Sequence, residues 1–116
     1  MIPRKYRLRL ERDFKQAFKG GKRFYFRDFA VLVNTNEKGY SRFAFIIGKK
    51  AVKSAVRRNR IKRRIREACR LQLHLFKDLG YDIVIFCKPS IEHQNFQELQ
   101  HQITNLASTL ANSHDN

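Results

Sequence analysis

Residues 49–70 read KKAVKSAVRRNRIKRRIREACR, and this run decides how the rest of the chain is read. It holds eleven basic side chains against one acid, Glu67, a net of +10 out of the chain's +15. Charge this dense repels itself, so a folded chain that keeps it is expected to meet a polyanion. The run also has helical order. Ile61, Ile65, Ala68, Cys69 and Phe76 recur at spacings of three, four and seven, a stripe that a disordered basic tail lacks.

At 100° per residue, Asn59, Arg63, Arg66 and Arg70 fall within about 60° of one another, with Lys62 at the edge. The apolar stripe centres roughly 140° away. One face therefore packs on a core and the other offers guanidinium donors to phosphates. A merely solvated helix interleaves Glu with Lys, whereas here Glu67 stands alone in the run. Asn59, a poor helix former between Arg58 and Arg60, either contacts RNA or orients a neighbouring arginine.

Outward from this helix, 116 residues that are 42% hydrophobic fit one domain with a single core, spanning 1–116, with a polar tail at 112–116 expected to fray. The pI near 10.5 points to nucleic acid before an anionic membrane. The longest apolar runs, 43–47 and 83–87, are too short to span a bilayer. No apolar core of a signal peptide follows the basic N-terminus. Cys69 and Cys87 sit in apolar stretches without zinc spacing, which predicts buried free thiols and a reducing, cytoplasmic setting. The four histidines are scattered and read as exposed polar residues.

The segment DFKQAFK at 13–19 reads as a short helix ended by Gly20 and Gly21. Residues 23–33 read as a strand, broken near Arg27 and Asp28, and 34–39 as a turn cluster. Residues 42–47 read as the partner strand, so that the two make a hairpin. Ser54 caps the basic helix, predicted over 55–79 and closed by Gly80. YDIVIFC at 81–87 is a buried strand. Ser90 caps a last helix, with Glu92 in its first turn and a stripe of Phe96, Leu99, Ile103, Leu106 and Leu110. The order α-β-β-α-β-α, with three to four strands, predicts a sheet covered by helices on one face. The strands at 42–47 and 81–87 flank the basic helix as a β-α-β unit, right-handed by the general rule.

Within this frame the stretch Ala55-Val56-Arg57-Arg58-Asn59-Arg60-Ile61-Lys62-Arg63-Arg64-Ile65-Arg66-Glu67 resembles the signature of the bacterial ribonuclease P protein subunit. That signature centres on Arg-Asn-Arg, then Ile-Lys-Arg and, one residue on, a hydrophobe-Arg-Glu. Arg7-Leu8 followed by Asp13-Phe14 and Phe18 is similar to the family's N-terminal block. Gly48-Lys49-Lys50 is similar to its basic loop, and Tyr81-Asp82-Ile83-Val84 to its last strand. The resemblance covers residues 6–88; the C-terminal helix matches only in kind.

The resemblance implies an α+β two-layer sandwich of order αβββαβα, like the second domain of ribosomal protein S5, with a left-handed β-α-β crossover against the general rule. It implies a protein subunit of ribonuclease P that binds the catalytic RNA subunit and the 5′ leader of precursor tRNA, assisting 5′ maturation of tRNA. The RNA is then the catalyst and holds the Mg2+, and the protein alone is inactive. RNA contacts fall on Lys49, Lys50, Lys53, Arg58, Asn59, Arg60, Lys62, Arg63, Arg66 and Arg70. A leader cleft falls on Phe14, Phe18, Ala30 and Leu32, the two phenylalanines sharing a helix face at i, i+4 where they offer a stacking wall or a piece of core. Leu32 gives apolar contact without stacking. No obligate protein partner and no membrane are implied.

The chain's own chemistry agrees with a binding role. Asp13, Asp28, Asp78 and Asp82 lack the paired spacing of a two-metal nuclease. A ribosomal or other structural RNA-binding protein shares the charge and size, and the Arg-Asn-Arg block with the Phe14/Phe18 pair separates the two. A double-stranded DNA binder of this kind usually dimerises, and no dimer seam is visible.

Overall fold

A computed structural model of the chain describes residues 2–8 and 15–114. Four strands, β1 (Lys22–Tyr25), β2 (Phe29–Thr35), β3 (Arg42–Ile46) and β4 (Tyr81–Cys87), form one sheet in the order β1-β2-β4-β3. Helices α1 (Ala55–Leu71) and α2 (Phe96–His114) cover one face. The α+β two-layer architecture is the expected one. Residues 15–17 are helical and pass into a turn at Phe18 and Lys19, while residues 13 and 14 of the helix expected over 13–19 lie outside the described residues.

Three expectations are corrected. The first is the hairpin between residues 23–33 and 42–47. The true hairpin is β1–β2, turning at Arg27-Asp28, while β2 and β3 are separated by β4. The reason is the composition of β4. It carries apolar residues on both faces, Ile83, Ile85 and Cys87 on one and Val84 and Phe86 on the other, so it takes the centre, hydrogen-bonded along both edges. It pairs antiparallel with β2 over all seven residues and parallel with β3, which completes the β-α-β unit through α1.

The second correction concerns the end of α1. Ser54 caps its start as expected, its hydroxyl accepting from the Arg57 N–H at 3.2 Å. The α-helix stops at Leu71, not near residue 79, and passes into a 3-10 turn at Leu73–Leu75. Eight more helical residues would carry the chain about 12 Å further, but β4 must begin beside the start of β3. Backbone bonds fix that return: Ser41 N–H to the Lys77 carbonyl at 3.0 Å and Asn36 N–H to the Gly80 carbonyl at 3.1 Å.

The third correction is at α2, which begins at Phe96 rather than after Ser90. Asn95 supplies the cap, its carboxamide oxygen accepting from Gln97 N–H at 2.8 Å. Residues Pro89–Glu92 form a separate 3-10 turn, and Ser90 and Glu92 are used in tertiary contacts instead. The helix extends through His114.

The core between sheet and helices is one apolar cluster. Phe29, Val31, Phe43, Ile83 and Ile85 meet Ile61, Ile65 and Ala68 of α1 and Leu99, Ile103 and Leu106 of α2. Two polar clamps flank it. Asp28, in the β1–β2 turn, accepts from the Ser90 hydroxyl at 2.6 Å, Gln94 Nε2 at 3.0 Å and Gln102 Nε2 at 2.6 Å, tying the hairpin to α2. At the other end of the sheet Arg42 donates from Nε and Nη2 to the two Asp82 oxygens at 2.9 and 2.8 Å, both side chains being buried.

Burial alone would raise the Asp28 carboxyl, but the Ser90, Gln102 and Gln94 donors outweigh it and hold the group below the usual carboxylate range. A carboxyl lowered in the folded state contributes stability above its unfolded value near 3.9 and loses that contribution as pH falls through the folded value. Denaturant midpoints measured from pH 5 down to pH 2 are therefore expected to fall, and Asp28→Asn to flatten that fall while lowering the midpoint at neutral pH. An acid limb as steep in the variant as in the parent would assign the loss to other carboxyls.

Candidate nucleic-acid interface

The basic run does not form one uniform surface. The fold sorts its cations into those tied to the protein and those left facing outward. Arg57 donates from Nε and Nη2 to Glu92 Oε1 at 3.0 and 2.7 Å, and Arg60 reaches Glu92 Oε2 at 3.1 Å. Arg64 donates to the carbonyls of Ile91 at 2.6 Å and Glu92 at 3.1 Å. Together they anchor α1 to the Pro89–Glu92 turn. Sequence alone left the run with Glu67 as its one relief; the fold brings Glu92, 25 residues beyond it in the chain, against the helix. The hydrogen bond from Arg57, with its charge and those of His93 and Arg60, holds the Glu92 carboxyl below its ordinary range despite burial of the side chain.

Arg58 donates from Nη1 to the carbonyls of Val52 and Lys53, both at 2.8 Å, so it braces the preceding loop. That loop turns at Gly48, whose carbonyl accepts from Ala51 and Val52 N–H, and is pinned by the buried Val52 side chain. Arg70 forms a two-point pair with Glu67 at 2.9 and 2.6 Å. The side chains of Lys49, Lys50, Lys53, Asn59, Lys62, Arg63 and Arg66 have no hydrogen bond or ion pair among the described residues, and all but the half-buried Lys62 are exposed. Arg66 also lies over the Phe45 ring at 5.8 Å. The ten predicted contact residues thus divide: seven are free to receive phosphates, while Arg58, Arg60 and Arg70 are partly committed to holding the helix and loop in place.

The second feature is the sheet face turned away from α1 and α2. Here Leu32, Val84 and Ala44 are buried beneath Leu8 and Ala17 of the N-terminal segment. Gly21 lets that segment approach: a Cβ there would stand 2.9 Å from both Leu32 Cδ1 and the Val33 carbonyl oxygen. Of the four predicted cleft residues, Phe18 is 46% exposed, Ala30 is half-buried, Leu32 is sealed and Phe14 lies outside the described residues. Phe86, Ile46, Arg23 and Tyr25 share that sheet face with Ala30 and Leu32 and were not among the predicted cleft residues. From Ile83 to Cys87 the strand is apolar at every position, so no periodicity marks Phe86 as facing the other way.

Among the described residues nothing else carries a competing chemistry. Cys69 and Cys87 are buried and free; burial pushes both thiols up, Cys87 to about 12 despite nearby Lys62 and Arg66, so neither is a nucleophile at neutral pH. Among the described residues no three His, Cys, Asp or Glu side chains gather as a metal site. A pocket of about 230 Å³ at the far end of the sheet is walled by Phe24, Val33 and Leu110, with Lys22 and Asn34, and offers no acid or nucleophile. No described helix is long and apolar enough to cross a membrane.

Comparison with known proteins gives a consistent result. The model of the family described as Ribonuclease P matches residues 2–111. The ribonuclease P protein component of Finegoldia magna is 37% identical over 106 residues, 91% of either chain. That of Petrotoga mobilis is 35% identical over 111 residues, 92% of either chain. The structure of the RNase P protein from Thermotoga maritima superposes with a TM-score of 0.75 at 34% identity, covering 87% of this chain and 94% of that one.

Proposed function

From the premise that this chain belongs to the ribonuclease P protein family, we propose that it is the protein subunit of a ribonuclease P, binding the RNA subunit and the 5′ leader of precursor tRNA during tRNA 5′ maturation. The observation that supports this most is the sorting of the basic run. The cations that hold the protein together are turned to Glu92 and to carbonyls, and the side chains of the remaining seven polar residues are paired with no acid among the described residues. Such a surface binds phosphates by releasing counterions. In this reading the RNA subunit is the catalyst. It also holds the Mg2+, for which this chain is a poor fit: Asp28, Glu67, Asp82 and Glu92 are already engaged, and the free surface is cationic. The leader enters between the N-terminal segment and the uncovered end of the sheet, with Phe18 on one wall and Ala30 on the floor.

Reconstitution tests this. Added to ribonuclease P RNA at low Mg2+, the chain is expected to raise affinity for precursor tRNA and lower the Mg2+ needed for cleavage. An RNA subunit whose activity and Mg2+ requirement are unchanged by saturating protein would refute the assignment.

Two variants divide the surfaces. Arg63→Ala and Arg66→Ala should each weaken RNA-subunit binding and make the slope of log K against log salt shallower by roughly 0.7–0.9 for every phosphate the side chain had neutralised. Arg57→Ala should instead lower the melting temperature and leave that slope alone, because its guanidinium is turned to Glu92. Phe18→Ala should cost about 1–3 kcal/mol in affinity for a long leader, with little loss of stability since the ring is nearly half exposed. A large drop in melting temperature with equal losses on long-leader and leaderless RNA would make Phe18 a core residue instead.

A further inference from the structure

One rung of side chains crosses all four strands. Tyr25 of β1 faces Ala30 of β2, Ala30 faces Phe86 of β4, and Phe86 faces Ile46 of β3. Alternation along each strand puts all four on the face turned away from the helices. The next rung on that face, Arg23, Leu32, Val84 and Ala44, is the one closed over by Leu8 and Ala17. Among the described residues the covering ends there. Tyr25 is 74% exposed, and Ala30, Phe86 and Ile46 are only partly buried.

Phe86 is the aromatic at the centre of this open rung. Its ring lies 6.2 Å from that of Phe18, tilted by 54°, and the Arg23 guanidinium carbon lies 6.0 Å from its centroid. A planar apolar surface, partly accessible to solvent, is thus flanked by a second ring and overlain by an exposed cation. That is the equipment of a single-strand platform: a π-face for any base and an adjoining forked donor for its phosphate. The alternative, a ring that merely seals the small cluster below it, leaves Arg23 above the ring without a purpose, since Leu32, Val84 and Ala44 are already nearly solvent-free.

We propose that Phe86, flanked by Phe18 and Arg23, is the platform on which one unpaired base of the leader stacks. The sheet's contribution to leader recognition then comes from β4 and β1 with Ala30 of β2 between them, while Leu32 of β2, at 3% exposure, is out of reach. This rests on the reading that the leader occupies the cleft.

The test uses holoenzyme reconstituted with ribonuclease P RNA. Its substrates are precursor tRNAs with a long leader, with a one-nucleotide leader, and with a long leader carrying a single abasic nucleotide at each position in turn. The readout is affinity relative to the one-nucleotide substrate. With wild-type protein, one abasic position is expected to lose about 5- to 150-fold, the range for one base–aromatic stack. Phe86→Tyr should keep that position-specific loss. Phe86→Leu, which still packs on the cluster, should bind the intact long leader as weakly as the abasic one and show no further loss at that position. Arg23→Gln should weaken the leader-dependent part and make its salt dependence shallower, and this variant carries the test if Phe86→Leu does not fold. Wild-type-like loss at the same position in Phe86→Leu, or unchanged leader affinity and salt dependence in Arg23→Gln, overturns the platform while leaving the leader cleft standing. No difference between long and one-nucleotide leaders with wild-type protein overturns the cleft reading and the platform together.

Discussion

Freed of all RNA, the purified chain is expected to leave precursor tRNA uncut, and to support cleavage once an RNA subunit is added. The expected difference is the full rate enhancement of the enzyme, many orders of magnitude. The reason lies in how the described acids are used. Asp28 accepts three donors from Ser90, Gln94 and Gln102; Asp82 is joined to Arg42 and Asn36; Glu92 takes Arg57 and Arg60; Glu67 takes Arg70. In-line displacement at a phosphodiester needs positive charge on both the attacking and the leaving oxygen, usually from metal ions held by clustered carboxylates. These four are engaged, and among the described residues, which also include Glu37, Asp78 and Glu98, no three His, Cys, Asp or Glu side chains gather into such a clamp. The measurement is cleavage of end-labelled precursor tRNA by protein purified under denaturing conditions and refolded after nuclease treatment. Specific 5′ cleavage by that material would overturn the expectation.

The second large effect is on stability. Asp82→Ala is expected to cost about 3–5 kcal/mol, the usual result of removing one member of a buried ion pair. The side chains of Arg42 and Asp82 are 10% and 4% exposed, and Asp82 Oδ1 also accepts from Asn36 Nδ2 at 2.9 Å. Asn36 in turn holds the Tyr40 carbonyl and receives Lys38 N–H, so the β2–β3 loop loosens with the pair. Against a total of roughly 5–15 kcal/mol for a domain, such a loss leaves a substantial unfolded fraction. The double variant Arg42→Met, Asp82→Leu should recover most of it, since apolar residues of similar volume need no partner. Urea unfolding of the three proteins decides the matter; a loss below about 1 kcal/mol in Asp82→Ala would show that the pair contributes little.

How legible this was in the sequence depended on whether the signal was local. The basic helix was readable because its stripe of Ile61, Ile65 and Ala68 and its Ser54 cap are local facts, and the structure has both. The break at Arg27-Asp28 was readable for the same reason. Strand order was not, because placing β4 between β2 and β3 depends on pairings some 50 residues apart that no window contains. The site shows the same division. The charge of the run was plain, but which arginines are free was set by Glu92, brought in by the 3-10 turn that follows β4. Phe86 was not among the predicted cleft residues because an apolar residue in an apolar strand gives no sign of which face it takes until the register is known.

The order of strands also sets a schedule. The central strand is the last of the four to be made, so during synthesis β2 and β3 stay without their shared partner while α1 is already complete. From the end of β3 to the end of β4 takes roughly 2–8 s at 5–20 residues per second. Within that interval the arginine-rich segment is made, and from Leu71 to Cys87 it belongs to a nascent chain that has not yet closed its sheet. Its early helical turns and its later anchor at Glu92 belong to different moments, and premature capture by RNA competes with the docking that finishes the fold.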